Sequence, residues 1–422
     1  MPSPDSDPDA AARDSPPQAG RPALSRRHFL ALGAGGIVVA AGFGAADLAA
    51  GGPLRRIATK VATVTPTPAA ASISPASSAM TVLTPAGSVG AGDLFISDMA
   101  ERKPRLVIAT SAGEELWSRS GATSYADFRP QSWNGRTVLS WWESDSTGLA
   151  AYGSGRSVVA EPDGTVITSI GTHHGVSPDE HEFLITASGT ALITSYVKTR
   201  MDLTRYGGPA QGWVMDGVFE ELDLATGRVL QHWSSLDHVG LAESYAGIPE
   251  DPDEPYDYFH INSVEPTPDG HFLVSARHTW GLYKVDRDTG KVLWRLGGRR
   301  SDFDLAGPAA FAWQHDARFE TAGTIRLFDN GSDGTVTATS ESRVLWLDVD
   351  QAARSATLIR RLSHPDRLSA AAMGNAELLA NGNLVVGWGT AKRISEFAPD
   401  GSLVFDAALP NMTYRCFRDT WR

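Results

Sequence analysis

An all-β fold, a six-bladed β-propeller preceded by an export signal and a disordered linker, is predicted by three features of the sequence. Runs of alternating apolar residues separated by glycine turns recur at roughly 40 to 60 residues, with no long amphipathic helix between them. Four of these segments open on a polar residue at nearly the same address: His181, His260, His315 and Asn375. One hairpin also repeats, as DLATGRVLQHW, DRDTGKVLWRL and APDGSLVFDAAL, with Thr-Gly or Asp-Gly supplying the tight turn. A sandwich does not need so many equivalent hairpins, and a β-helix has a much shorter period.

The elements follow in chain order. Residues 1–50 hold a polar extension and then SRRHFLALGAGGIVVAAGFGAADLAA, in which Arg26 and Arg27 precede an apolar run reaching about Ala46. This is the pattern of a twin-arginine signal, and the run is shorter and more Gly- and Ala-rich than the roughly 20 apolar residues of a membrane span. Export by the twin-arginine machinery is expected, to an extracellular, cell-envelope or periplasmic site, with membrane attachment only where the signal stays uncleaved. Residues 51–90 are rich in Thr, Pro, Ala and Ser and read as a tether. Residues 91–422 form the propeller.

Six units divide that domain. The first holds Asp93–Met99 and Arg105–Ser120, and the second Thr137–Ser144 and Ser157–Ile170. The third runs from His181 to Ser235, the fourth from His260 to Gly298, the fifth from His315 to Leu362 and the sixth from Asn375 to Leu409.

Composition excludes several function classes. The net charge is -12, and the folded part has no basic cluster, which argues against nucleic acid as a partner. The single cysteine, Cys416, excludes an internal disulfide and a thiolate metal cluster, and reads as a small buried hydrophobe.

Eleven histidines are present, and most sit in or beside hairpins with no repeated address. His181, His260 and His315 differ. In a radial array the first strands of the blades converge on one axis, so these three residues are expected to share a cavity. Arg277 ends the second run of the fourth blade, and Asn262 stands two residues after His260, on the same face of that strand. Three histidines can hold zinc or iron. Alternatively, one neutral histidine can act as a nucleophile toward phosphorus or sulfur, with the others handling protons and charge. Arg277 favours the second chemistry, because a guanidinium fork suits a tetrahedral oxyanion and is out of place beside a divalent cation.

The stretches HEFLITASGTALITSY, DYFHINSVEPTPDGHFLVSARHTWGLYKVDRDTGKVLWRLGG and FAWQHDARF resemble the bacterial arylsulfotransferase family, particularly its actinobacterial-type branch. The likeness covers most of residues 120–400 and is most specific in HINS, SARH and WQHDA. It implies a six-bladed propeller that moves a sulfuryl group from a phenolic sulfate ester to a phenol through an enzyme histidine, without a nucleotide donor or other cofactor. By position, the resemblance makes His315 the nucleophile, His260 the acid and base, and Asn262 and Arg277 the residues that hold the sulfuryl oxygens. His181 completes the donor set, with His173 and His174 close enough in sequence to compete for that role. Trp280, Trp313 and Tyr258 are candidate aromatic walls for the acceptor. Two other classes stay open at the level of sequence. One is a non-catalytic propeller that binds a ligand or partner, and the other is a metal-dependent hydrolase or lyase using His181, His260 and His315.

Overall fold

Six antiparallel sheets make up the computed structural model, which describes residues 78–144, 155–305 and 307–422. The expected export signal and most of the expected linker lie outside the described residues. Blade II runs outward as Ser124–Trp133, Arg136–Ser144, Arg156–Ala160 and Val166–Ile170. Blade III runs as Pro178–Ile185, Thr190–Met201, Gly212–Asp223 and Val229–Ser234, and blade IV as Ile261–Pro266, Phe272–Ala276, Gly281–Val285 and Val292–Gly297. Blade V runs as His315–Thr321, Thr324–Asp329, Arg343–Asp350 and Ser355–Ser363. Blade VI begins with Asn375–Leu378, Leu384–Gly387, Arg393–Phe397 and Leu403–Ala408. The innermost strand of each blade contacts the innermost strand of the next, and the series closes on itself.

Blade I closes the ring with strands from both ends of the domain. Its inner strand is Cys416–Asp419, paired with Asp93–Asp98, and Arg105–Ala109 and Glu115–Ser120 lie outside. A second latch is Thr81–Thr84, which adds a fifth strand to blade VI by pairing with Leu403–Ala408. The expected linker therefore ends before Thr81 rather than at residue 90. TVLT is a short β-branched run that covers an edge otherwise left unpaired.

Successive side chains on a strand point to opposite faces, and here both faces are buried between blades. In blade I, Leu94 and Ile96 pack with Val385, Ile394 and Phe405 of blade VI, whereas Phe95 between them packs with Tyr125 and Trp141 of blade II. The same alternation fills the other gaps, so the core is a ring of inter-blade clusters rather than one central mass. Cys416 is fully buried in the blade VI–I cluster, and burial pushes its thiol far above the usual range, as a structural residue requires.

The centre is filled with charge instead of hydrocarbon. Arg415 donates to Asp127 at 2.8 Å and to Glu182 at 3.0 Å, and Arg129 and Arg318 each reach Glu182 at 2.6 Å. Asp316 adds a third carboxylate, 2.8 Å from Arg318. Burial opposes ionisation of Glu182, but the three guanidinium groups outweigh it and hold the carboxyl well below its usual range. Three arginines and three carboxylates cancel, so the buried plug carries no net charge against the low-dielectric interior.

Candidate active site

Irregular pairing of the inner strands sets the site. The register slips between Ala126 and Arg129 in blade II, opposite Ser195 and Ile193 in blade III, between Ile261 and Ser263 in blade IV and between His315 and Arg318 in blade V. Such bulges re-aim side chains that a regular pleat would turn into an inter-blade gap. Asp127, His260 and Asp316 beside these slips have φ of 50°, 55° and 51°, a left-handed conformation that side chains rarely adopt. Sites that keep it are commonly functional.

His181 and His260 meet edge to face, with ring centroids 5.0 Å apart and planes at 85°. Tyr196 and Tyr414 each lie 5.6 Å from the His181 ring. Each histidine has its own carboxylate: His181 Nδ1 pairs with Asp179 and His260 Nδ1 with Asp257. The two rings nevertheless titrate in opposite directions. Burial opposes a cation on His181, but Asp179 outweighs it and raises the ring above 6.5. Burial together with the neighbouring His181 and Arg277 charges holds His260 well below 6.5.

His315 stands at the first position of its strand and is 2% exposed. Its Nδ1 lies 2.7 Å from Asn330 Oδ1. Asn330 directs its own amide nitrogen to the carbonyl oxygens of Ala370 and Met373, both at 2.9 Å, which fixes its oxygen toward the imidazole. The proton of neutral His315 is thus assigned to Nδ1 and the lone pair to Nε2. Nε2 receives only a long hydrogen bond, 3.3 Å from the Met373 N–H. Burial and the Arg277 charge push His315 well below 6.5, so the ring is neutral at pH 7.

Arg277 is held on several sides. It donates from Nη1 to His278 Nε2 at 2.7 Å and from Nη2 to the Ala371 carbonyl at 2.8 Å, and it lies 4.9 Å over the Trp313 ring. His278 in turn donates from Nδ1 to the Asp257 carbonyl at 2.6 Å, and its ring lies 4.5 Å from that of His260 at a tilt of 42°. Burial pushes His278 down to about 3, with Asp257 acting in the opposite direction, so it remains a neutral acceptor for the guanidinium. The segment Ala370–Met373 meets both Arg277 and the His315–Asn330 pair, placing the guanidinium and His315 Nε2 on one seat.

The structure therefore brings His181, His260, Arg277 and His315 together. Asn262 is different. It is fully buried and gives its amide nitrogen to the Gln314 carbonyl at 2.7 Å, tying blade IV to the segment entering blade V. Its Oδ1 is buried with no hydrogen-bond partner among the described residues, and Gln314, which holds its amide nitrogen, immediately precedes His315. His173 and His174 are also elsewhere: His173 binds Glu220 at 2.6 Å and contacts His174, not the His181–His260 pair. Tyr258 lies in the blade III–IV core with its hydroxyl on the Val239 carbonyl, so it is no pocket wall. Sequence reading gave His278 no role and passed over Asp179, Asp257 and Asn330. The short spacings from Asp179 to His181 and from Asp257 to His260 were the available signal.

A metal-binding reading takes a changed form. Among the described residues, the His, Cys, Asp and Glu groups whose ligand atoms come within 4.8 Å of one another are Asp257–His260–His278 and His364–Asp366–Asp406. Neither includes His181 or His315. The first has Arg277 hydrogen-bonded to one of its imidazoles, a poor neighbour for a divalent cation.

An arylsulfotransferase (ASST) family model matches residues 129–409, which include the three site histidines and Arg277. The chain belongs to the arylsulfotransferase family. That membership makes sulfotransferase activity the general chemistry of the site. No curated protein matches the chain. Solved structures similar to it include a protein of unknown function from Bacteroides caccae, at 13% identity over 77% of this chain and 98% of that one, with a TM-score of 0.46. Hydrazine synthase from Kuenenia stuttgartiensis is 12% identical over 82% of this chain and 94% of that one, with a TM-score of 0.42. A functionally unknown protein from Desulfotomaculum acetoxidans is 12% identical over 81% and 89%, with a TM-score of 0.41. Likenesses at this level carry no argument about the activity of this arylsulfotransferase-family chain.

Proposed function

We propose that the chain is an exported aryl-sulfate sulfotransferase that works by two successive transfers through His315. The observation that carries this reading is the hydrogen bonding of His315, whose Nδ1 faces the anchored Asn330 Oδ1 while Nε2 meets only the long Met373 N–H contact, with Arg277 held on the same segment. In the first half-reaction the Nε2 lone pair forms a bond to the sulfur of a phenolic sulfate ester. The bond from sulfur to the aryl oxygen breaks, and its electron pair leaves on the phenolate. The departing phenolate takes the proton carried by the His181–His260 pair, which rests on His181. In the second half-reaction an acceptor phenol returns a proton to that pair while its oxygen attacks sulfur, and the N–S bond breaks to restore Nε2.

Physical chemistry supports each role. Charge in such transfers is spread over the equatorial oxygens, which a rigid guanidinium stabilises. A phenol has a pKa of about 10, so its anion leaves without the help an alkoxide would need. Two neighbouring imidazoles pushed apart in acidity form an acid–base pair. Asn262 supports the floor of the site through Gln314 in this reading, and it is not assigned to the sulfuryl oxygens.

The reading is tested by incubating the domain with an aryl sulfate whose phenolate is coloured, with phenol as acceptor, across a range of pH. Colour release coupled to sulfation of phenol is expected, and its absence with every donor contradicts the proposal. The pH dependence has a definite sign. His315 and His260 lie below 6.5, so the acid limb of kcat/KM falls well below that value. His181 lies above 6.5, so activity declines on the alkaline side as its proton is lost. His181→Gln is expected to lower the rate and remove that alkaline limb.

A further inference from the structure

A second feature lies beside the histidines. A cavity of about 410 Å³ opens between blades IV and V, with Tyr245, Trp280, Phe311, Ala338 and Thr339 among its walls. It is larger than a single ring needs, since a cavity of roughly 150 Å³ accommodates benzene. Its volume falls within the roughly 300–1,000 Å³ of small-molecule sites.

The walls are aromatic and firmly seated. Tyr245 and Trp280 stack in parallel, with centroids 3.7 Å apart and planes at 4°. Arg299 lies 4.3 Å over Tyr245 and donates to the Ser244 carbonyl at 3.2 Å. Phe311 rests against Gly297, where φ is 84° and a Cβ would come within 2.6 Å of the phenyl ring. Arg343 at the cavity edge is engaged by Asp329 at 2.8 Å and by the Ala310 carbonyl at 2.9 Å. The surface suits a planar apolar group more than an anion.

The cavity adjoins the site through shared residues. Arg277 and Trp280 share one turn, with the Trp280 N–H on the Arg277 carbonyl at 3.3 Å. The Tyr245 N–H donates to the carbonyl of His278 at 2.7 Å. Trp280 packs 5.3 Å from Trp313, which carries Arg277 on its face. Phe311 and His315 belong to the same segment entering blade V. Trp280 thus lines the cavity and also packs against Trp313, the ring that carries Arg277.

From this arrangement we infer that the cavity binds the distal ring of a two-ring phenolic acceptor whose hydroxyl reaches His315. Bodies larger than phenol cross Trp313 and lodge against Trp280, and single-ring phenols leave the cavity empty. The inference rests on the transferase reading and adds the acceptor class to it.

Steady-state kinetics with 4-phenylphenol and with phenol, at fixed aryl sulfate, provide the test. Trp280→Ala is expected to raise the ratio of the 4-phenylphenol KM to the phenol KM about tenfold, as loss of one aromatic wall implies. Ala338→Phe, an exposed rim position that can change without loss of core packing, fills the cavity. It is expected to raise the ratio of the 4-phenylphenol KM to the phenol KM to a similar extent. An unchanged ratio in both variants overturns the inference even if sulfuryl transfer is robust. Should the wild-type protein transfer nothing, calorimetric titration with 4-phenylphenol decides the matter separately. Binding weakened by Ala338→Phe supports the cavity assignment, and the absence of wild-type binding overturns it.

Discussion

His315→Ala is expected to lower turnover by about 10³-fold or more, the scale on which removal of a covalent nucleophile acts. The loss should fall on kcat, since Arg277, Trp313 and the His181–His260 pair stay in place to receive the donor. Alanine also leaves Asn330 Oδ1 without its imidazole partner. Asn330 remains anchored through its amide nitrogen on Ala370 and Met373, so the segment shared with Arg277 should keep its position. Near-UV circular dichroism and the melting temperature check that the fold is retained. A variant that folds and still turns over at more than about a tenth of the wild-type rate contradicts the nucleophile assignment.

Arg277→Lys tests the second-largest effect. A cation remains, but a lysine ammonium cannot occupy the His278 acceptor, the Ala371 carbonyl and the Trp313 face as the planar fork does. A loss of about 10²- to 10³-fold in kcat is expected, comparable to removal of one oxyanion donor and equal to roughly 3–4 kcal/mol. A pure charge effect would be largely preserved by lysine. Activity close to wild type therefore implies that the fork geometry and its His278 clamp are unnecessary. His278→Asn, which retains an acceptor near the guanidinium, is expected to lose less than His278→Leu in the same assay.

The propeller was legible because its signal is repetitive. Blades III, IV and VI carry matching hairpins, and the first strands of blades III to VI begin at or near the repeated polar address. Blades I and II were read less well for identifiable reasons. The inner strand of blade I is Cys416–Asp419, more than 300 residues from its partner Asp93–Asp98, and no local pattern announces that pairing. The inner strand of blade II, Ser124–Trp133, contains Pro130, which weakens a strand reading in a single sequence. Convergence of His181, His260 and His315 could be anticipated from topology, because equivalent strand positions face one axis. The tautomer of His315 could not, since it depends on Asn330, just past the end of the next strand, and on carbonyl groups of the segment before blade VI.

Electrostatics sharpened what spacing had suggested. Three histidines at one repeated address look equivalent in a sequence, yet Asp179 raises His181 while burial and Arg277 depress His260 and His315. The three rings are therefore electrostatically unequal. The buried Arg–carboxylate plug at the axis supplies a rigid floor through Glu182, immediately beside His181 in sequence.

Mass spectrometry of the protein quenched after exposure to an aryl sulfate without acceptor tests the central claim most directly. The account predicts a peptide containing His315 heavier by one sulfuryl group, lost on addition of a phenol and absent from His315→Ala. Transfer that proceeds with no sulfated peptide, or with the label on another residue, would contradict it.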